Sequence, residues 1–271
     1  MVRSLWTAAT GMRAQQTNVD TIANNLANVN TAGYKTEVNE FKSLLYQTIQ
    51  TKTTSASGEN KPIGAQVGLG VRNSSITSIF TDGALLASES TSAFALSGMG
   101  FFSVRGEDGN TYYTRNGNFT WAMNSEGGIA LTTSDGLMVL DTEGNPISFS
   151  SDYVSSRITV TGDGTICYPD ENNNPRSLGV TFGITQFNNP GGLEKTDSGL
   201  FRQTAASGQP INEATSEAVQ KTKVTQGYIE GSNVQVVDEM VNLITAQRAY
   251  ELNSKAITAS DEMMQQANNL R

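Results

Sequence analysis

Apolar and polar residues recur with a helical period at both ends of this chain and with a strand-like period in its middle. Before Gly33 the only glycine is Gly11, and after Gly231 the chain contains neither glycine nor proline. Because both residue types disfavour helices, their concentration in the middle predicts helical ends that flank a region of strands and turns. The predicted fold class is therefore α+β, with a mainly antiparallel β middle domain.

The N-terminal apolar positions alternate by three and four residues, which predicts a helix of about seven turns with one heptad-like seam. Gly33 follows this pattern and suits the left-handed conformation that ends helices. The seam contains Leu5, Ala8, Met12, Gln15, Val19, Ile22, Leu26 and Val29.

The C-terminal helix is expected to begin near Ser232 and Asn233, two good N-cap residues, with Asp238 and Glu239 near its positive end. Two semi-apolar stripes follow, so the helix is expected to touch neighbours on more than one side. One stripe is Met240, Leu243, Gln247, Tyr250, Ser254, Ile257, Asp261 and Met264, and the other is Ala246, Ala249, Asn253, Ala256, Met263, Ala267 and Leu270.

Two interpretations of these helices are open on periodicity alone. They could form an ordinary hairpin packed on its own core. Alternatively, seams rich in Ala, Gln, Asn and Ser, which provide little hydrophobic gain within a monomer, could associate when many copies align. The second interpretation predicts an antiparallel coiled-coil-like stalk and an assembly interface. That interface comprises Leu5, Met12, Val19, Ile22, Leu26, Met240, Leu243, Tyr250, Ile257 and Met264.

The middle of the chain reads as antiparallel strands joined by tight turns such as Asp108-Gly109 and Asp163-Gly164. Four segments are predicted. They are an N-terminal helix and turn at 1–45, a flexible or assembly-ordered loop at 46–63, a β-rich domain at 64–225 and a C-terminal helix at 226–271. The strands are expected within 93–104, 111–121, 129–140, 157–160 and 178–187.

Composition argues against several classes of function. There is no histidine, which is the commonest general base and transition-metal ligand, and Cys167 is the only cysteine. Net charge is −8 without a cluster of basic residues, so nucleic acid is not an expected partner. Asp170, Asn172 and Asn174 imitate the start of a calcium loop, but Pro175 stands where that loop needs glycine. No catalytic, metal or cofactor site is predicted, and no apolar run is long enough for membrane insertion.

Three segments resemble one protein family, the axial proteins of the bacterial flagellar rod and hook. Residues 23–35, ANNLANVNTAGYK, resemble its N-terminal signature, and residues 226–270 resemble its C-terminal motif. Residues 96–120 are similar to the β core of its longer members. The residues matching the two terminal motifs are Asn24, Asn25, Leu26, Asn28, Gly33, Tyr34, Lys35, Gln247, Arg248, Ala249 and Tyr250.

The resemblance implies a structural, non-enzymatic subunit that polymerises into a helical tube and transmits motor torque to the hook. It implies terminal helices on the inner wall, β domains outside, and a segment near 47–63 that stiffens the tube. The implied partners are further copies of the chain, proximal rod proteins, the hook protein and the rod cap, and bushing rings are a further candidate. The implied location is the periplasmic rod of the basal body, reached by flagellar type III export without a cleaved signal peptide.

Within the family, the segment LLYQTIQ at 44–50 and the later GLGVR at 68–72 are most similar to the distal rod protein. The proximal rod protein of similar length is the alternative. Two other classes stay open from the residues alone, a secreted β-rich binding module with helical ends and a cell-wall hydrolase.

Overall fold

A computed structural model describes residues 2–50, 64–124, 127–151, 153–170, 174–216 and 219–269. The chain divides into two compact units. The helical unit takes its described residues from 1–27, 37–77 and 235–271, and the β unit takes them from 28–36 and 78–234. The segments of the four-part prediction do not coincide with these units, because residues 37–77 group with the terminal helices.

Two long helices, α1 (Val2–Ala27) and α2 (Val236–Asn269), form the frame of the helical unit. The hydroxyls of Ser4 and Ser260 lie 3.3 Å apart, and near the other end Asn25 contacts Glu239. In both pairs the two residue numbers add up to 264. The helices therefore run antiparallel, whereas the finer prediction of a coiled-coil stalk stays a prediction.

Small side chains allow this close approach. A Cβ added to Gly11 would lie 2.9 Å from the side-chain nitrogen of Asn253, another pair in the same register. The buried residues of α1 include Ala8, Ala14 and Ile22. Glycine is intrinsically unfavourable in a helix interior. It is nevertheless suited to position 11, because a larger residue there would displace Asn253.

Both predicted helix boundaries need correction. Helix α1 ends at Ala27, so Val29 lies beyond it and Gly33 is not its terminating residue. Helix α2 begins at Val236, so neither Ser232 nor Asn233 is its N-cap. The Ser232 hydroxyl instead accepts a hydrogen bond from the Val234 backbone N–H, 3.3 Å away.

Four strands accompany the helices. Strand β1 (Glu37–Ser43) pairs with β4 (Val71–Ser78), and β2 (Tyr46–Gln50) pairs with β3 (Ala65–Gly68). Residues 46–50 therefore form a strand, although a loop was expected there. The local sequence pattern did not reveal this strand, because its partner β3 lies beyond the polar stretch that follows. The rest of that predicted loop, residues 51–63, lies outside the described residues.

The β unit confirms the expected strand-rich, antiparallel middle, since every strand pairing described in it is antiparallel. The strands are β5 (Leu85–Ala87), β6 (Phe94–Ser97), β7 (Phe101–Arg105), β8 (Thr111–Thr114), β9 (Thr120–Met123), β10 (Ile129–Thr132), β11 (Met138–Val139), β12 (Ser148–Phe149), β13 (Thr159–Val160), β14 (Thr165–Pro169), β15 (Pro175–Thr181), β16 (Ile184–Gln186), β17 (Glu194–Lys195), β18 (Leu200–Arg202), β19 (Ile211–Asn212), β20 (Lys223–Gln226) and β21 (Tyr228–Glu230). A ten-stranded sheet runs through β7, β8, β9, β10, β11, β12, β16, β17, β18 and β19.

Phenylalanines form the centre of the β core. Phe102 is fully buried, and its ring meets those of Phe119 and Phe182 at centroid distances of 5.0 and 5.6 Å. Both contacts have the edge-to-face geometry that aromatic pairs prefer. Gly117 is required beside this core, because a Cβ there would collide with the carbonyl oxygen of Phe94.

In the part of the chain that the structure describes, no helix is long and apolar enough to cross a membrane. The same residues contain no group of three or more histidines, cysteines or carboxylates that could hold a metal ion. The calcium-like sequence falls partly outside the described residues, which omit 171–173.

The aromatic core gives the first testable expectation. Phe102→Ala should lower the free energy of unfolding by about 3–5 kcal/mol, because it removes a buried ring and leaves a cavity. Met123→Ala is the control, since Met123 is 92% exposed and should matter little. Urea unfolding of both variants measures the difference, and equal stabilities would contradict the assignment of this core.

Candidate functional site

Asn25, from the N-terminal motif, holds three elements of the helical unit together. Its side-chain nitrogen donates to the Glu37 carbonyl at 2.8 Å and to a Glu239 carboxylate oxygen at 3.2 Å. Its side-chain oxygen accepts the Glu37 backbone N–H at 2.9 Å. Because Asn25 is only 1% exposed, these bonds satisfy an amide that would otherwise be costly to bury. The end of α1, the start of β1 and the first turn of α2 are thereby joined.

A buried ion pair lies at the centre of a polar cluster in the β unit. Lys35 Nζ is 2.6 Å from Glu230 Oε1, and both side chains are 0% exposed. Lys35 Nζ also donates to the Thr81 carbonyl at 2.6 Å. Burial, followed by the nearby positive charge of Arg115, lowers the pKa of Lys35, although Glu230 acts in the opposite direction. We call Lys35, Asp82, Arg115, Glu230 and Asn233 the clasp.

Arg115 completes the charge balance of the clasp. Its guanidinium is 1% exposed and donates to the Gly98 carbonyl at 2.6 Å and to Asp82 at 3.2 Å. Its Nη1 atom lies 3.7 Å from Glu230 Oε2, which is close enough for charge attraction but too long for a hydrogen bond. Two basic groups thus face two carboxylates, of which only Asp82 reaches solvent appreciably.

Asn233 ties together the chain segments that lead out of the β unit. Its side-chain oxygen accepts both the backbone N–H and the hydroxyl of Thr36 at 2.7 Å. Its side-chain nitrogen donates to the Ile79 carbonyl at 2.9 Å and to the Thr81 hydroxyl at 2.9 Å. Segments near residues 36, 80 and 233 are therefore held by one amide, which explains why Asn233 is unavailable as a helix cap.

Gly33 has the positive φ that the sequence predicts, +69°, but its role is close packing and not helix termination. A Cβ would lie 2.7 Å from the backbone carbon of Arg115 and the backbone nitrogen of Asn116. The Gly33 N–H also donates to the Glu230 carbonyl at 2.8 Å. Glycine here lets one backbone pass directly against another next to the clasp.

The other motif residues have diverse surroundings. Asn24 donates to the Glu37 carboxylate, and Asn28 accepts a hydrogen bond from the Thr31 hydroxyl. The Lys195 ammonium lies 5.7 Å from the centre of the Tyr34 ring. Leu26 and Ala249 are half-buried, whereas Gln247, Arg248 and Tyr250 are exposed.

The predicted assembly residues fall into three groups in the single chain. On α1, Ile22 is buried, and on α2, Met240 and Tyr250 are 52% and 43% exposed. The remaining seven are half-buried, namely Leu5, Met12, Val19, Leu26, Leu243, Ile257 and Met264. Their role in assembly stays a prediction.

An exposed apolar face on α2 was not recognised from the sequence. Val237, Val241, Ile244 and Leu252 are between 56% and 73% exposed, and with Met240 they line one side of the helix. The buried residues of α2, Glu239, Ala246 and Ser260, lie on the opposite side. The spacing of residues 237, 240, 241 and 244 could have revealed this face, since it follows the helical period.

Family comparisons agree with this division into helical ends and β middle. A model described as the flagella basal body rod protein matches residues 5–35, and one for the flagellar basal body rod FlgEFG protein C-terminal matches 225–270. A third, the flagellar hook protein FlgE/F/G D1 domain, matches 95–168. The fold and its motifs thus define an axial protein of the bacterial flagellum.

Full-length relatives narrow the family further. The flagellar basal-body rod protein FlgG of Borreliella burgdorferi is 43% identical over all of this chain and 99% of its own length. FlgG of Agrobacterium fabrum is 42% identical over 97% of each chain, and FlgG of Bacillus subtilis is 35% identical over the whole of both. This chain belongs to the FlgG family of flagellar basal-body rod proteins.

Substitution of Gly33 tests the close packing beside the clasp. Gly33→Val should lower the free energy of unfolding by more than the roughly 1 kcal/mol that positive φ alone costs a residue with a Cβ, because it also collides with the backbone at Arg115. Gly109→Val is the matched control, since Gly109 has φ of +77° and open space around it. Thermal melting compares the two, and equal losses would show that the backbone contact is unimportant.

A double-mutant cycle tests the buried ion pair. Lys35→Met should lower the free energy of unfolding by about 3–5 kcal/mol, because it leaves Glu230 buried without its partner. Lys35→Met combined with Glu230→Met should cost less than the sum of the single changes. Urea unfolding of all four proteins measures this coupling, and strict additivity would refute it. Arg248→Met, which breaks an exposed pair with Glu251, should have little effect.

Proposed function

We propose that this chain is a structural subunit that self-assembles into the distal rod, the helical, tubular drive shaft of the bacterial flagellum. In this proposal the rod transmits torque from the motor to the hook. Full-length similarity to proteins named flagellar basal-body rod protein FlgG supports it. Because these relatives and the matched families are structural rod proteins, no enzymatic role is proposed.

The observation that carries self-assembly is the exposed apolar face of α2. The buried residues of α2 are Glu239, Ala246 and Ser260, whereas four larger apolar side chains are exposed on the opposite side. Completing the burial of each exposed side chain, Val237, Val241, Ile244 and Leu252, contributes roughly 1 kcal/mol or more. A second copy packed on this face would therefore gain apolar burial that the single chain does not provide.

The proposal assigns the terminal helices, paired as a coiled-coil-like stalk, to the inner layer of the tube and the β-rich middle to its outer layer. The segment near 47–63 stiffens the tube. The proposed partners are further copies of the chain, proximal rod proteins, the hook protein and the rod cap, with bushing rings as a further candidate. The rod lies in the periplasm, and the subunit reaches it by flagellar type III export without a cleaved signal peptide.

Electron microscopy of the purified full-length chain tests the proposal directly. At high concentration the wild type should form helical tubes, and Val241→Asp and Ile244→Asp should prevent them because they place charge on the exposed face of α2. Both variants should keep the wild-type melting temperature as monomers, since these side chains have few contacts within the chain.

Asn268→Asp serves as the control, because Asn268 is exposed on the same helix and lies on the side away from this face. A wild-type chain that remains monomeric at every concentration would refute self-assembly. Tubes that form equally well from Val241→Asp and Ile244→Asp would show that another surface joins the copies.

A further inference from the structure

The helical unit contains a cavity lined by acidic and polar side chains. It has a volume of about 340 Å³ and lies among α1, β1 and α2. Its described lining residues include Glu37 and Glu239, several amides and hydroxyls, and the apolar Ile22, Val38 and Phe41, and none of them is a lysine or an arginine. We call it the acidic cavity. Two carboxylates without a basic neighbour in this lining favour the entry of a positively charged group.

Asn39 indicates that the acidic cavity is incomplete in the single chain. Its side chain lines the cavity and is only 9% exposed, yet neither its amide nitrogen nor its amide oxygen has a hydrogen-bond partner. Buried amides in native proteins are nearly always hydrogen-bonded, because an unmade bond costs about 1–3 kcal/mol. A polar group entering this cavity would allow a small rearrangement that gives Asn39 its missing partners.

A second cavity in the same unit has the opposite charge. It has a volume of about 320 Å³ and is lined by α1, β4 and Leu44, and its described lining residues include Arg13 and Arg72 but no carboxylate. We call it the basic cavity. Both arginines are exposed, and neither forms an ion pair with any residue that the structure describes. Asn73 also lines this cavity, and its buried side-chain oxygen lacks a hydrogen-bond partner.

We infer that the acidic cavity of one copy receives the arginine side chains that border the basic cavity of the next copy. This inference rests on the proposed self-assembly and specifies one of its contacts. The charges are complementary, Arg13 and Arg72 are exposed and can enter a cavity of about 340 Å³, and each cavity contains an asparagine with an unsatisfied amide atom. A guanidinium group suits the acidic cavity, because its five N–H donors can bind two carboxylates and an amide oxygen together.

The two cavities are different patches of the helical unit, because their described lining residues do not overlap. Two different patches that fit each other define a head-to-tail contact. Repetition of such a contact produces a ring if the rotation closes and an open helical filament if it does not. The arrangement therefore suits a polymer and not a two-fold symmetric dimer.

Charge reversal in the full-length chain tests the inference. Arg13→Glu and Arg72→Glu should each raise the critical concentration for polymerisation by roughly tenfold or more, because a carboxylate would then face Glu37 and Glu239. The monomer melting temperature should not change, since both arginines are exposed. Sedimentation measures the polymer fraction. Arg3→Glu is the matched control, because Arg3 is exposed on the same helix and lines neither cavity.

A compensating change identifies the partner cavity. Thr245 is exposed and lines the acidic cavity, so Thr245→Lys should restore polymerisation of Arg13→Glu while weakening that of the wild type. Restoration would support the pairing, and its failure would overturn it. Wild-type polymerisation that persists unchanged in Arg13→Glu and Arg72→Glu would refute this contact but not self-assembly. A wild type that never polymerises would refute both.

Discussion

The organisation of the clasp in the β unit depends on one contact, the pairing of Lys35 with Glu230. Neither charge reaches water, so each requires the other, and the remaining polar groups of the clasp are arranged around them. The Gly83 N–H donates to the same Glu230 oxygen that Lys35 contacts. Gly33 then permits the backbone to approach closely enough for the two side chains to meet. One pair of opposite charges thus brings together segments separated by up to 195 residues of sequence.

The sequence predicts those features that depend on local patterns. Glycine and proline placement predicts both terminal helices, and the helical period of α1 correctly predicts that Ala8 and Ile22 are buried. The partner of Lys35 could not be predicted, because no local pattern reports a contact with a glutamate so distant in the chain. Asn233 was misinterpreted for the same reason, since a helix-capping residue and an amide that joins three segments look identical in sequence.

The helical unit leaves much of the apolar surface of α2 exposed. Of the described residues of α2, Glu239, Ala246 and Ser260 are buried and Leu243 and Ile257 on the same side are half-buried. Other large apolar residues of α2 are exposed on the opposite side, although the larger apolar residues of an ordinary helical hairpin are expected to provide most of its burial. Apolar periodicity therefore located the buried face of α1 better than that of α2.

The constant register between the two helices also limits how their lengths can change. Since paired residue numbers add up to 264, Val2 lies opposite residue 262, and residues 263–269 of α2 extend past the start of α1 by about 10 Å. A single-residue insertion before residue 262 would rotate the following part of α2 by about 100° and misalign Ser260 with Ser4. An insertion within the overhang would leave every pair in place. Length variation in α2 should therefore be tolerated only in its last two turns.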